Sequence, residues 1–327
     1  MEFLNRLNQF LGRRLPLLIL LCVSLGILFP DAVSPLRRCT MLLFACMTFI
    51  SSMDAGFRDL GSVFLHPLPI VVTLTLLHVA VPLLALLTGR LLFPGNPYLV
   101  TGLVLEYSVP TGVMSLMWVS IARGNGPLTL SLVLVDTLIS PFVLPLMLRL
   151  LVGSSVEMAP LSMMGDLMKM VAVPALLAMT FHQLAGKERT VRIKGVLSPL
   201  GRAIPLPITL ANASGIAGTV RSMDPGLFLA AFVALSLAVS AFVLGYWAAR
   251  LLRLDFPGTV SLTLNTGLRN LSAGTVLADR YFPGEVMFPA VVSSLVMQLI
   301  ASLAVWALQH TKAGRAEQTP PRTAGTS

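Results

Sequence analysis

Ten apolar runs follow one another along this chain, with only short loops between them. They fall at about 15–30, 38–53, 67–93, 97–121, 126–151, 161–186, 196–220, 226–252, 257–279 and 284–310. A helix needs about 20 apolar residues to cross a bilayer's hydrocarbon core. The first two runs are short for this and the others are long enough. In hydrocarbon no water satisfies a stray N–H or C=O, so only helices and closed barrels can cross. A barrel would show alternating strands of roughly ten residues, whereas these runs are continuous. Charged residues make up 11% of the chain and hydrophobic ones 55%, against about 25% charged in a soluble domain. The expectation is an all-α polytopic membrane protein whose surroundings are the lipid bilayer, not a soluble enzyme. The net charge of +9 does not point to a nucleic-acid partner, because the basic residues are scattered through loops and gather on no wettable face.

Loop charge sets the orientation. With the N-terminus in the cytoplasm, the outer loops hold six basic residues: Arg37, Arg38, Arg90, Arg149, Arg221 and Arg280. Fourteen lie on the inner side, including Arg13, Arg14 and the cluster at 187–194. Both termini are then cytoplasmic, in a multi-pass protein of the cell's inner (cytoplasmic) membrane. Arg13 and Arg14 before an apolar run resemble the start of a signal peptide, but no small-residue cleavage pattern follows. The polar segment 312–327 reads as a disordered tail.

The chain reads as two copies of five spans, 1–153 and 154–311. Arg90-Leu91-Leu92 and Arg250-Leu251-Leu252 each precede a Phe-Pro pair, Phe93-Pro94 and Phe256-Pro257. The next run in each half is interrupted, at Pro110 with Gly112 and at Gly267. Both copies then pass a Gly/Pro turn, Gly126-Pro127 and Pro283-Gly284. An odd number of spans per copy turns the second copy upside down. Inverted repeats with discontinuous helices are a signature of secondary transporters, with binding near mid-membrane.

Charge at the bilayer centre costs about 2.5–3.5 kcal/mol or more, so it marks function or pairing. Glu106 lies four residues before Pro110, Asp136 is in the middle of the fifth run, and Arg269 follows Gly267 by two. A structural ion pair between Arg269 and one carboxylate is the plain alternative. Asp166 and Lys169, at i and i+3, read as an interfacial pair. Unwinding a helix frees N–H groups at the start of its second half, and these with the helix dipole attract anions. Arg269 adds a full charge and a bidentate fork for carboxylate. The expected substrate region is therefore the crossover of the two breaks: Pro110, Gly112, Val113, Ser115, Asn265, Gly267, Arg269 and Asn270.

At these residues the chain resembles the bile acid:sodium symporter family, in its ten-span bacterial members. Pro110-Thr111-Gly112-Val113-Met114-Ser115, then Ala122-Arg123-Gly124-Asn125 and Ser140-Pro141, look like the family's Pro-Gly-Gly-Thr-Ala-Ser-Asn, Ala-Arg-Gly-Asn and Ser-Pro. Asn265-Thr266-Gly267-Leu268-Arg269-Asn270 looks like its Glu-x-Gly-x-Gln-Asn. The resemblance covers about residues 12–310. It implies a panel domain (spans 1, 2, 6 and 7) and a core domain (spans 3–5 and 8–10) in which spans 4 and 9 cross. It also implies sodium-driven uptake of organic anions.

The same resemblance marks where this chain departs. Ser115, Thr129 and Asn265 are what remains at positions that hold sodium in the family. Leu116 and Val133 replace polar ligands, Asn265 replaces a glutamate, and Arg269 replaces the glutamine of a second sodium site. Arg and Na⁺ side by side repel by several kcal/mol at an effective dielectric of about 20. The expectation is a carrier of a small organic anion whose sodium coupling is lost or altered, with no other cofactor and no metal site. Arg269 then stands in for a sodium ion, and Glu106 and Asp136 are candidates to carry a proton. Sodium symport through non-standard ligands, sodium-independent facilitated diffusion, and an exporter like the related arsenite and auxin carriers remain as alternatives. The three cysteines, Cys22, Cys39 and Cys46, lie far in sequence from both breaks, which disfavours arsenite. His66, His182 and His310 sit near run ends, and His78 reads as a hydrogen-bonded core residue or a cleft-lining group. No nucleophile–base set suggests an enzyme. Oligomeric state, transport direction and the identity of the solute are open.

Overall fold

The computed structural model describes residues 2–61, 67–112, 114–222 and 224–311. Val113, His66 and the tail 312–327 lie outside the described residues. The described chain is helical: α1 (Glu2–Leu28), α2 (Thr40–Ser52), α3 (Pro67–Leu92), α4 (Pro97–Ser108), α5 (Met114–Ile121), α6 (Gly126–Val152), α7 (Pro160–Ala185), α8 (Lys187–Ala203), α9 (Pro205–Gly215), α10 (Pro225–Leu251), α11 (Phe256–Gly267), α12 (Leu271–Tyr281) and α13 (Gly284–Gln309). Among the described residues, six helical stretches are long and apolar enough to cross a membrane, namely Pro30–Ser52, α3, α6, α7, α10 and α13.

The helix starts follow from local chemistry. A helix leaves its first N–H groups without partners, and here an Asn or Asp side chain takes one. Asn96 accepts from Leu99 N–H at 3.0 Å, Asn125 from Leu128 N–H at 3.0 Å, and Asp255 from Gly258 N–H at 2.8 Å. Proline at the first or second helical position suits that place, because its missing N–H is one of the orphans; Pro97, Pro127, Pro225 and Pro257 sit there.

Two expected runs have different limits. The first, expected at about 15–30, is part of the longer α1. The seventh, expected at about 196–220, is two abutting helices, α8 and α9, and α8 begins with Lys187, Glu188 and Arg189. Good helix formers carry it past the end of the apolar pattern.

Packing explains which helices neighbour which. The buried face of α10 runs through Ala230, Ala234, Ala238, Ala241, Gly245 and Ala249, a seam of small residues that lets backbones approach without lipid between them. A Cβ at Gly245 would lie 2.8 Å from the Thr266 Cβ and 3.0 Å from the Leu262 carbonyl on α11. Likewise a Cβ at Gly102 of α4 would lie 2.5 Å from the Val286 carbonyl of α13. Apolar side chains also cover the outside: Leu87, Leu91, Leu161, Phe232, Leu251 and Trp306 are all exposed. An apolar exterior around buried Thr, Ser, Asn, Asp, Glu and Arg is the arrangement a lipid solvent selects.

The end of α12 ties together distant elements. Asp279 pairs with Arg37 from the turn before α2, and Arg280 pairs with Asp166 of α7. Tyr281 donates its hydroxyl to Asp166 at 2.7 Å. Lys169, the expected partner of Asp166, is 3.7 Å away with an exposed side chain. Asp166 is therefore held mainly across helices.

Candidate functional site

Both interrupted runs break where glycine or proline falls. After Ser108 the backbone becomes extended at Val109 (φ −64°, ψ 152°), and after Gly267 it does so at Leu268 (φ −83°, ψ 119°). Pro110 has no N–H to continue a helix. In hydrocarbon the freed groups need partners, and the two breaks supply them to each other. Gly112 N–H donates to the Leu268 carbonyl at 3.1 Å, and Asn270 N–H donates to the Pro110 carbonyl at 2.8 Å, with Thr111 and Arg269 facing as an antiparallel bridge. The Thr111 hydroxyl lies 3.0 Å from the Asn265 carbonyl and 3.1 Å from that of Leu268. A Cβ at Gly112 would stand 3.1 Å from the Arg269 carbonyl, so this close approach favours glycine. The N-termini of α5 and α12 both open at this junction, and Asn270 caps α12 by accepting from Ala273 N–H at 3.3 Å.

Ser115, Thr129 and Asn265 come together and bond to one another. The Ser115 hydroxyl donates to Asn265 Oδ1 at 2.8 Å. Asn265 Nδ2 donates to Thr129 Oγ1 at 3.0 Å and to the Ser261 carbonyl at 2.8 Å. A cation site needs converging oxygens. Here an amide donor occupies the centre and uses the oxygens itself. Ser261, which also accepts from Asn125 N–H at 2.8 Å, is a member the sequence reading missed.

Arg269 is 5% exposed. Its Nη1 donates to the carbonyls of Leu77 at 3.3 Å and Val109 at 3.4 Å. Its Nε and Nη2 are buried and have no hydrogen-bond partner. Among the described residues no carboxylate oxygen lies within salt-bridge distance of this guanidinium. The direct pairing of Arg269 with Glu106 or Asp136, open from the sequence, is thus not made. Backbone carbonyls hold the guanidinium, and Asp136 is engaged elsewhere.

The free carbonyl of Leu77 has a local cause. Residues Leu76–Ala80 form a π-turn within α3, and Val81 N–H donates to Leu76. In that register the donor for Leu77 would come from position 82, which is proline and has none. The same turn carries His78. Its Nε2 lies 2.6 Å from Asp136 Oδ1, while Asp136 Oδ2 accepts from Thr111 N–H at 2.6 Å. One buried carboxylate therefore joins an imidazole to the backbone of the crossover. His78 Nδ1 is buried without a partner. Glu106 is fully buried on α4, and neither of its oxygens has a hydrogen-bond partner.

Comparison with known proteins gives the family. The model of the "Sodium Bile acid symporter family" matches residues 40–222; the second break lies beyond that stretch. An uncharacterized protein, YbaS, of Bacillus subtilis (strain 168) is 36% identical over 289 residues, 88% of this chain and 94% of the relative. An uncharacterized sodium-dependent transporter, YocS, of the same organism is 20% identical over 304 residues, 93% of each chain. A probable chloroplastic sodium/metabolite cotransporter, BASS1, of Oryza sativa subsp. japonica is 23% identical over 311 residues, 92% of this chain and 74% of the relative. With a helical membrane fold, two breaks bonded to each other and these matches over most of its length, the chain belongs to the sodium bile acid symporter family.

Proposed function

We propose that the protein is a secondary transporter that moves a small organic anion across the cytoplasmic membrane by alternating access, without the family's sodium coupling. In this reading the chain crosses ten times as two inverted repeats, 1–153 and 154–311, with both termini cytoplasmic. α4/α5 and α11/α12 are the crossing discontinuous spans. Helices α1, α2, α7, α8 and α9, which pack largely on one another, form the panel; α3 to α6 and α10 to α13 form the core.

One observation carries the anion: a buried guanidinium at the crossover has its Nε and Nη2 unpaired. Those two nitrogens form one edge of the planar fork, the edge that takes a carboxylate side-on. The N-termini of α5 and α12 add partial positive charge at the same place. Pro110, Gly112, Ser115, Asn265, Gly267, Arg269 and Asn270 make up this region. Val113, also expected there, is outside the described residues.

Loss of sodium coupling rests on the bonded trio Ser115–Asn265–Thr129 and on the fixed charge of Arg269. The second reading is sodium symport through other ligands, and it draws on the relatives described as a sodium-dependent transporter and a sodium/metabolite cotransporter. Reconstituted full-length protein separates the two. Uptake of a panel of radiolabelled carboxylates, from small hydroxy acids to bile-acid-sized anions, is measured with sodium and with choline outside. Uptake that is equal in both supports this reading, and a strict sodium requirement overturns it.

A further inference from the structure

We infer that His78 is the proton-binding group of this carrier, taking the proton at Nδ1 with Asp136 as its fixed counter-ion. The inference rests on the carrier reading and adds the coupling ion. It transfers the proton-carrying role from the two carboxylates, Glu106 and Asp136, to an imidazole that the sequence alone left as a core residue or a cleft-lining group.

The atoms assign the roles. Asp136 accepts from Thr111 N–H through Oδ2 and meets His78 Nε2 through Oδ1. An ionised carboxylate only accepts, so Nε2 carries a hydrogen whether the ring is neutral or charged. The exchangeable proton is then the one on Nδ1. A histidine kept only for packing would satisfy both ring nitrogens, because leaving a buried polar atom unpaired is costly. Here Nδ1 is buried and unpaired. The π-turn that presents this ring also frees the Leu77 carbonyl for Arg269. Ring and guanidinium thus share one backbone segment.

The charges around the ring can be counted from every helical segment packed against the π-turn. The rest of α3 contributes no ionisable side chain near the turn. α4 contributes Glu106 and Tyr107, and α6 contributes Asp136. Arg269 reaches the turn from the second break. Two carboxyls, one fixed cation and one imidazole are electroneutral with a single exchangeable proton among them. A monovalent anion arriving at Arg269 adds one negative charge, and a second proton, on His78, restores neutrality. Protonation and anion binding then favour each other, as reciprocal linkage requires. Thr111 N–H passes the state of the Asp136 carboxylate directly to the crossover backbone. The expected stoichiometry is one proton for each monovalent anion.

The direct test needs no identified solute. Full-length protein carrying H66Q, H182Q and H310Q leaves His78 as the single histidine. Its ¹⁵N-labelled ring is followed by NMR in lipid nanodiscs from about pH 5 to pH 8, the range in which histidine ordinarily changes charge. The expected result is a change of state at Nδ1 with Nε2 protonated throughout, displaced when D136N is added. A ring that keeps one protonation state over the whole range overturns the inference and leaves the carrier reading untouched.

The second test uses whichever anion the uptake panel identifies. One proton per anion gives about tenfold accumulation for each pH unit of inward gradient. H78Q, whose amide can still donate to Asp136, reduces that ratio to one. H182Q retains the tenfold ratio, because His182 bonds the Met53 carbonyl away from the crossover. Accumulation by H78Q equal to that of the unaltered chain overturns the inference. Failure of the unaltered chain to take up any anion counts against the carrier reading instead.

Discussion

In the proposed reading, Asn265 and Arg269 take the places that the family resemblance assigns to sodium. The amide of Asn265 cross-links α5, α6 and α11 through Ser115, Thr129 and Ser261. Truncating it leaves the Ser115 and Thr129 hydroxyls without this partner, each worth about 1–3 kcal/mol when buried. Asn265→Ala is therefore expected to lower the melting temperature of the detergent-solubilised protein markedly, whether or not sodium is added. Arg269→Gln removes the charge and the fork, and charge-assisted bonds of about 1.5–3 kcal/mol correspond to a loss of anion affinity of roughly ten- to a hundredfold. Isothermal titration of the accepted anion checks this, and unaltered affinity would exclude the guanidinium as the anion site. The double change Asn265→Glu with Arg269→Gln restores the residues that the family resemblance implies at these positions, and sodium-dependent thermal stabilisation is its expected signature in the proposed reading. These two residues were legible because they stand inside recognisable motifs. His78 was not, because its partner is 58 positions away and nothing local ties an isolated histidine to a distant aspartate.

Among the elements, the breaks were the easiest to read and the π-turn the hardest. Pro110 and Gly267 announce interruptions because of what they lack, an N–H and a side chain. The π-turn depends on which carbonyl Val81 selects, one register against another, and an apolar run with a proline in it does not specify that choice. The seam between α10 and α11 lends itself to a paired measurement. Gly245→Val must push against Thr266 and Leu262, and overpacking of this kind costs about 1–3 kcal/mol. Gly165→Ala in α7 meets nothing within 4 Å and is expected to be neutral or slightly stabilising. Equal thermal stability of the two variants would mean that the seam is not close-packed. The ties at the end of α12 belong to a different class. Arg280 is half-exposed, so Asp166→Asn is expected to cost about 1 kcal/mol or less, and the difference should shrink in high salt. Thermal unfolding at two ionic strengths decides it; a salt-independent loss would assign the stabilisation to the Tyr281 hydrogen bond instead.

At the scale of the whole molecule, apolar run length announced a helical membrane protein, and the spacing of motifs pointed to the family. The limits of α1, α8 and α9 did not follow from hydropathy, because a helix can continue into water once its apolar part is anchored. The crossover has a further consequence, for the order in which the chain is made. The hydroxyl of Thr111 is held by a carbonyl 157 residues further on, and Pro110 and Gly112 depend on the same late segment. When the first half enters the membrane, the Pro110 carbonyl and the Gly112 N–H lack the partners that the second half supplies and face a solvent that offers none, at several kcal/mol per group. Residues 1–153 made alone should therefore be short-lived in the membrane, and co-expression with 154–327 should rescue them as a complex that copurifies. The junction through which the solute is read to pass would then also be the last part of the molecule to close during synthesis, and a natural point for quality control to act.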